Sequence, residues 1–351
     1  MKANRMFRWI VCAALAALLC ALSLSALADG VTLPNYYGDA IKYIQSHTVT
    51  DCQILNGHMS PGELLKIRAA LPPDAKLTFV NTWNKVKFTD DTESLDFQKC
   101  EKNISKTELE QLIELLPNLK SVDTTTLKKP TNEVMFEIVE KYPNIHFDWN
   151  VHLAGEHYCP TNATAYSTFN YTDAGRRLKD EDLELLQYIP GLKALDLGHN
   201  AFHNLDFLRF FPDLEFLIIT NNSHLTDISA LGELKHLKYL ELYFTEVTDI
   251  SPLANCTELI DLNISCTKIK DFSPLDEITS LKRFYANNIK KLPQEQEDNF
   301  IALHPDCEVN FHGDSAICGT WRNHPRYYHF RWCLKHNQWY SFDELIPGHD
   351  Y

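Results

Sequence analysis

The sequence predicts an α/β solenoid. Parallel strands stack into one curved sheet, with α-helices returning the chain in the first units and short turns in the later ones. Three observations point to it. A pattern is written twice in succession, "LKYLELYFTEVTDISPLANC" over 237–256 and "LIDLNISCTKIKDFSPLDEI" over 259–278. Its spacing continues on both sides: cores begin at Leu192, Leu214, Leu237, Leu259 and Leu281, in steps of 22, 23, 22 and 22 residues. A fixed period of that size marks a stacked repeat. Looser copies precede it, "LDFQKC", "LKSVDTT" and "IHFDWN", separated by runs such as "SKTELEQLIELLPNL". Those upstream units are 25 to 27 residues long, enough for a helix on the convex side.

Each element of the repeat has a physical reason. The cores read Leu192-Leu195-Leu197, Leu214-Leu217-Ile219, Leu237-Leu240-Leu242, Leu259-Leu262-Ile264 and, more worn, Leu281-Phe284-Ala286. Leu-x-Leu is a period-two strand with one buried face. Asn200, Asn222, Thr245 and Thr267 follow at a fixed distance. Such a side chain satisfies backbone groups where the chain leaves the strand. "DISPL" then ends on a Ser-Pro step that fixes a turn. One unit closes no core, so neighbours must bury each other's leucines, at about 1.5–3 kcal/mol per fully buried side chain. This pattern resembles the leucine-rich repeat, and "TDISPL" is similar to its bacterial internalin-type form. We expect one solenoid over 54–311.

The remaining segments follow in order. Lys2, Arg5 and Arg8, an apolar run from Ile10 to Leu22, and Ala26-Leu27-Ala28 read as a secretory signal peptide over 1–28. Residues 29–53 would form an N-terminal segment or cap. Alternation of Trp149, Val151 and Leu153 with Asn150 and His152, then Ala154-Gly155-Glu156, predicts a β-hairpin inserted at about 149–172. "TDAGRRLKDEDLELLQYIPGL" re-enters the repeats with a helix. Residues 312–351 are rich in aromatics, and Tyr327, Phe330 and Leu334 fall at helical spacing. We expect this tail to cap the open end of the stack, since repeat arrays need a cap.

Composition bounds the function. The net charge of −14 is spread along the chain, which disfavours nucleic acid and anionic membranes. No second apolar stretch is long enough to span a bilayer. No HExxH, GxSxG, GxxxxGK, GxGxxG or CxxC occurs. His152, His157 and Cys159, and in the tail Cys318, His324, Cys333 and His336, do not match a zinc spacing, so no metal or cofactor is expected. Cys256 aligns with Phe211, Leu234 and Ile278 and reads as a buried hydrophobe. Cys52, Cys159, Cys307, Cys318 and Cys333 remain as disulfide candidates. A bond among the last three would staple the tail, but pairing is not legible in sequence. Sequons at Asn103, Asn162, Asn170, Asn221, Asn255 and Asn263 are read as chance.

"VHLAGEHYCPTNATAYST", "LKALDLGHN" and "GTWRNHPRY" resemble stretches of secreted leucine-rich-repeat proteins of gut-type Gram-positive anaerobes. We expect a non-catalytic interaction module, acting as a monomer, with a protein partner on a host or neighbouring cell. The resemblance implies an extracellular solenoid of undefined ligand. It supplies no catalytic residues. The positions between the leucines should line the concave face. Phe216, Ile218, Tyr239, Glu241, Tyr243, Phe244, Asp261, Arg283 and Tyr285 are the candidate binding residues, because aromatics there have no burial reason. The alternative is a glycan-binding protein or an extracellular hydrolase using the hairpin and tail.

Overall fold

The computed structural model describes residues 30–169, 177–319 and 321–344. The leader expected over 1–28, Asn170, and residues 345–351 of the tail lie outside them. The chain forms two compact units, divided in sequence between Phe147 and Asp148.

In the first unit, strands β1 (Val31–Thr32), β2 (Cys52–Gly57) and β3 (Leu77–Trp83) run parallel. Strand β4 (Val86–Thr89) folds back antiparallel on β3. Helices α1 (Tyr37–Ser46) and α2 (Pro61–Ala70) link β1 to β2 and β2 to β3. A second sheet holds β5 (Ser94–Asp96), β6 (Ser121–Asp123) and β7 (His146–Asp148). Helices α3 (Lys106–Leu115) and α4 (Asn132–Lys141) connect these three strands. Helix α3 starts where it does because Ser105 and Glu108 form a capping box: Ser105 Oγ accepts from Glu108 N at 3.2 Å, and Glu108 Oε2 accepts from Ser105 N at 2.9 Å. Its buried stripe is Leu109, Leu112 and Leu115, the i, i+3, i+6 face that packs inward.

The second unit opens with a hairpin of β8 (Asn150–Ala154) and β9 (His157–Pro160), turned at Gly155 with φ 54°. Glycine takes that conformation at no steric cost. A seven-stranded parallel sheet follows: β10 (Ala165–Ser167), β11 (Ala194–Asp196), β12 (Phe216–Ile218), β13 (Tyr239–Glu241), β14 (Asp261–Asn263), β15 (Arg283–Tyr285) and β16 (Glu308–Asn310). Every step keeps one register, with Leu195, Leu217, Leu240, Leu262 and Phe284 paired in a row. These central residues are fully buried.

The chain leaves β10 through a short helix α5 (Asp180–Leu183). Tight 3-10 turns at Glu184–Tyr188, Asp206–Phe210, Ser229–Glu233, Ser251–Asn255 and Ser273–Leu275 make the later returns. Helix α6 (Gln294–Leu303) makes the last. Asn222 Nδ2 donates to Ile219 O at 2.9 Å and to Leu197 O, one repeat back, at 3.0 Å. Thr245 and Thr267 each donate to the carbonyl three residues back at 2.7 Å. One position before them, His199, Asn221, Phe244 and Cys266 all take positive φ, between 56° and 63°. The repeat therefore fixes a left-handed corner at this point, whatever residue occupies it.

Two features differ from the sequence reading. The parallel strands are shared among three sheets rather than one. The hairpin is also shorter than 149–172, because Ala165–Ser167 is already the first strand of the repeat sheet, in register with Ala194–Asp196.

Candidate functional site

The first and third residues of each strand triplet project from one face of the repeat sheet. On that face lie Ala194 and Asp196, Phe216 and Ile218, Tyr239 and Glu241, Asp261 and Asn263, Arg283 and Tyr285. The sequence reading placed these side chains there in contact with solvent. The structure corrects the exposure: Phe216, Ile218, Tyr239, Glu241, Tyr243, Asp261, Arg283 and Tyr285 are all buried, and among the candidate residues only Phe244, at 49%, is exposed.

What covers them is the chain's own C-terminal segment. Helix α7 (Pro325–His336) begins with proline in its first turn, and His324 Nδ1 accepts from Arg326 N at 3.2 Å. It ends at Asn337, whose left-handed φ of 54° breaks the helix. The segment does not cap the end of the stack. It crosses the sheet from the last strands to the first. Near its start, Ala316 O accepts from Asn263 Nδ2 at 2.7 Å, and Gly313 N donates to Asn287 Oδ1 at 2.7 Å. At its far side, Asn337 O accepts from Thr164 N at 3.0 Å, and Trp339 N donates to Thr164 Oγ1 at 2.7 Å.

Aromatic packing fills the space between. Phe216 and Tyr239 stack at 4.6 Å, Phe330 lies 4.4 Å from Phe216, and Trp321 lies 4.8 Å from Tyr285. The physical reason for the correction is simple. An apolar face and an aromatic segment on one chain remove both from water by packing together, and each buried aromatic carries a large area.

Ion pairs set the register of this contact. Asp261 accepts from Arg283 at 2.8 and 3.0 Å and from Arg326 at 2.6 and 2.7 Å, two forked pairs on one buried carboxylate. Arg283 also lies 4.5 Å over the Trp321 ring. Glu241 accepts from Trp321 Nε1 at 2.9 Å, from Arg322 Nη2 at 2.8 Å and from the Tyr239 hydroxyl. Glu215 accepts from Ser341 Oγ at 2.8 Å and Lys238 Nζ at 3.0 Å.

Burial works against the charge of Asp261, but hydrogen bonds from Arg326 and Arg283 outweigh it and hold its carboxyl below the usual range. Glu215 is lowered in the same way, with burial opposed by Lys238 and Ser341. Burial dominates at Glu241 and Asp196 and raises both. For Asp261 and Glu215, stabilisation is complete above the unfolded carboxylate range near pH 4 and is lost as pH falls through their lower folded values. Glu241 and Asp196 have the opposite sign and regain stability on acidification. Comparing urea midpoints at about pH 7 and about pH 3, the wild type should lose more stability than Asp261→Asn, because the variant lacks the lowered group. Equal losses would show that Asp261 is not the acid-sensitive contact.

The tail is not stapled by sulfur. All eight described cysteines are free, including Cys307, Cys318 and Cys333, among which the sequence left a bond open. Burial pushes the Cys307 thiol up to about 12 and the Cys333 thiol to about 11. Cys256 is buried as its alignment predicts and donates to Leu231 O. Among the described residues no group of three His, Cys, Asp or Glu is placed to hold a metal ion. No helix among them is long and apolar enough to cross a membrane.

Sequence reasoning missed Trp321, Arg322, Arg326, Phe330 and Arg331 as partners of the face. The available signal was arginine placed among aromatics in "TWRNHPRYYHFRW", opposite acidic positions on a sheet expected to be bare.

An opening is present on this face among the described residues. A recess of about 280 Å³ lies where β11–β13 end, beside the start of α7. Asp196, Thr220 and Tyr243 from the sheet side, Phe169 and His199 at the rim, and Arg322 and Arg331 from the segment are among the residues that line it.

The family model described as Leucine Rich repeats (2 copies) matches residues 235–277. Comparison with curated proteins finds no match. Among solved structures, an internalin C2 from Listeria monocytogenes is similar at 17% identity, covering 62% of this chain and 80% of that one, with a TM-score of 0.31. An internalin (inlF) from the same organism is similar at 15% identity, covering 78% and 83%, with a TM-score of 0.37. The family match falls on two repeats of a register that runs unbroken from β10 to β16. Leucine-rich repeats are thus matched over 235–277, inside a sheet whose register repeats on both sides of them.

Proposed function

We propose that the protein is an extracellular, non-catalytic module that binds another protein through the rim of its repeat sheet, not through the sheet's centre. One observation carries this reading. Phe169, Phe244 and Ile317 are large apolar side chains at least 41% exposed. Phe169 and Ile317 line the recess together with Tyr243, against which Phe244 packs at 5.8 Å. Exposed aromatics beside arginine are what the centre of a protein interface is made from. Tyr243 and Phe244 remain partner contacts in this proposal. Phe216, Ile218, Tyr239, Glu241, Asp261, Arg283 and Tyr285 become the buried support that holds the segment beneath them.

The non-catalytic reading is supported at two of the buried carboxylates of the face. Glu241 and Asp261 are sealed and saturated by arginine and indole donors, leaving neither free to move a proton. Secretion is supported by the leader read in residues 1–28.

The test is capture from mucosal extract by the purified mature protein. A Phe169→Ser/Phe244→Ser variant should lose the captured partner. An Ile301→Ser/Leu303→Ser control, at exposed positions of α6, should retain it. Capture that survives in the Phe169/Phe244 variant would sink the rim as the site. Substituting Tyr239 is not a usable test, because it is part of the core beneath the segment.

A further inference from the structure

The recess beside α7 has its own chemistry. Its floor is Asp196, buried and acceptor-only, with Ser167 Oγ at 3.0 Å on one oxygen and Gly198 N at 3.2 Å on the other. Each carboxylate oxygen keeps a further lone pair. Across from this acceptor stands a donor-only group: Arg331 is half-buried, its guanidinium 5.3 Å over the Phe169 ring, and among the described residues it has no carboxylate within ion-pair distance. Arg322 is different, since Glu241 and the Tyr243 hydroxyl already engage it. Thr220 and His199 add groups that both donate and accept.

This set selects among ligands. An anion entering the recess meets the Asp196 carboxylate, and a cation meets two guanidinium groups. Either would leave a half-buried like charge opposed to it, which is costly where water is scarce. A neutral molecule bearing hydroxyls meets no such cost, because each hydroxyl can donate to Asp196 or accept from Arg331. The same molecule needs an apolar face for Phe169 and Ile317. The volume of about 280 Å³ lies just under the usual range for drug-sized pockets, so the occupant is small.

We infer that this recess binds one neutral monosaccharide residue, with hydroxyls on Asp196 and Arg331 and its C–H face against the Phe169 and Ile317 side. The inference rests on the proposed rim being the binding face, and it names a ligand for its deepest point. A free sugar and the end of a glycan on the partner both supply this residue and carry the same chemistry.

The experiment is saturation-transfer NMR on the purified mature protein with three neutral probes, the methyl glycosides of galactose, mannose and N-acetylglucosamine, and with glucuronate as the charged comparison. A lactose-type disaccharide ending in the same residue tests the glycan source. At least one neutral glycoside should bind saturably with a Kd of about 1 mM, typical of a small ligand with few contacts. Arg331→Met should weaken it at least about tenfold, a loss matching one charged hydrogen bond. Asp196→Asn should do the same if its circular dichroism shows a folded chain. Arg331→Met keeps the test decisive if it does not.

No saturable binding by any neutral probe would overturn the inference, as would binding unchanged in Arg331→Met or glucuronate binding more tightly than every neutral sugar. Failure of the sugar with protein capture intact discards this inference alone. Sugar binding with capture indifferent to Phe169→Ser/Phe244→Ser discards the protein-binding reading instead.

Discussion

Asp261→Asn should destabilise the second unit by about 3–5 kcal/mol, the cost of breaking a buried ion pair by removing one charge. The residue is fully buried, and two guanidinium groups converge on it. Arg283, 2% exposed, cannot reach water when its partner loses charge. Arg326 is less enclosed and can swing away, taking the start of α7 with it. Equilibrium urea unfolding measures the loss. A change under about 1 kcal/mol would mean the triad is solvated in solution and the segment is not seated as described. Replacing all three residues together by apolar side chains is a different experiment, because a well-packed apolar triplet can equal a buried ion network.

Trp321→Ala should cost a similar amount, about 3–5 kcal/mol, by a different route. The indole is fully buried and touches Tyr239, Tyr285 and Arg283. Its removal leaves a cavity between the segment and the sheet, and it leaves Glu241 without one of its donors. The leucine rows of the repeats are untouched. Limited proteolysis should therefore cut within 312–344 first, while the fragment ending before it keeps its far-ultraviolet signal. Simultaneous digestion of repeats and segment would show that the two are one inseparable core.

The repeats were legible because their information is local and periodic. Leu240 and Leu262 occupy equivalent places whatever surrounds them, and Thr245 and Thr267 turn the chain by bonds three residues long. The face carrying Tyr239, Glu241 and Asp261 was legible for the same reason. Its exposure was not, because exposure depends on what lies above it. The groups above Glu241 are Trp321 and Arg322, 80 and 81 positions away in sequence, and no period connects them. Aromatic content in the tail indicated a packing surface. Only the opposition of Arg322 and Arg326 to Glu241 and Asp261 says which surface it packs on, and the arginines look ordinary until the sheet is drawn. The recess was harder still to foresee, since its walls come from Phe169, the ends of three strands and α7.

The clasp between Trp339 and Thr164 joins residues 175 positions apart. An open repeat array behaves as a one-dimensional chain of neighbours: its end units fray, and unfolding spreads inward by stages. Here the first strand of the sheet and the last segment of the chain are tied to each other. Neither end can peel away without opening the other. With the segment seated, as in the wild type, the second unit should accordingly melt as a single cooperative transition, its slowest amide protons exchanging together from β10 to β15, a coupling that Trp321→Ala releases. A closed loop of this kind also delays completion of the fold. Until residues 321–344 leave the ribosome, the Phe216–Tyr239–Tyr285 face has nothing to shield it, and the nascent chain is at its stickiest just before that segment emerges.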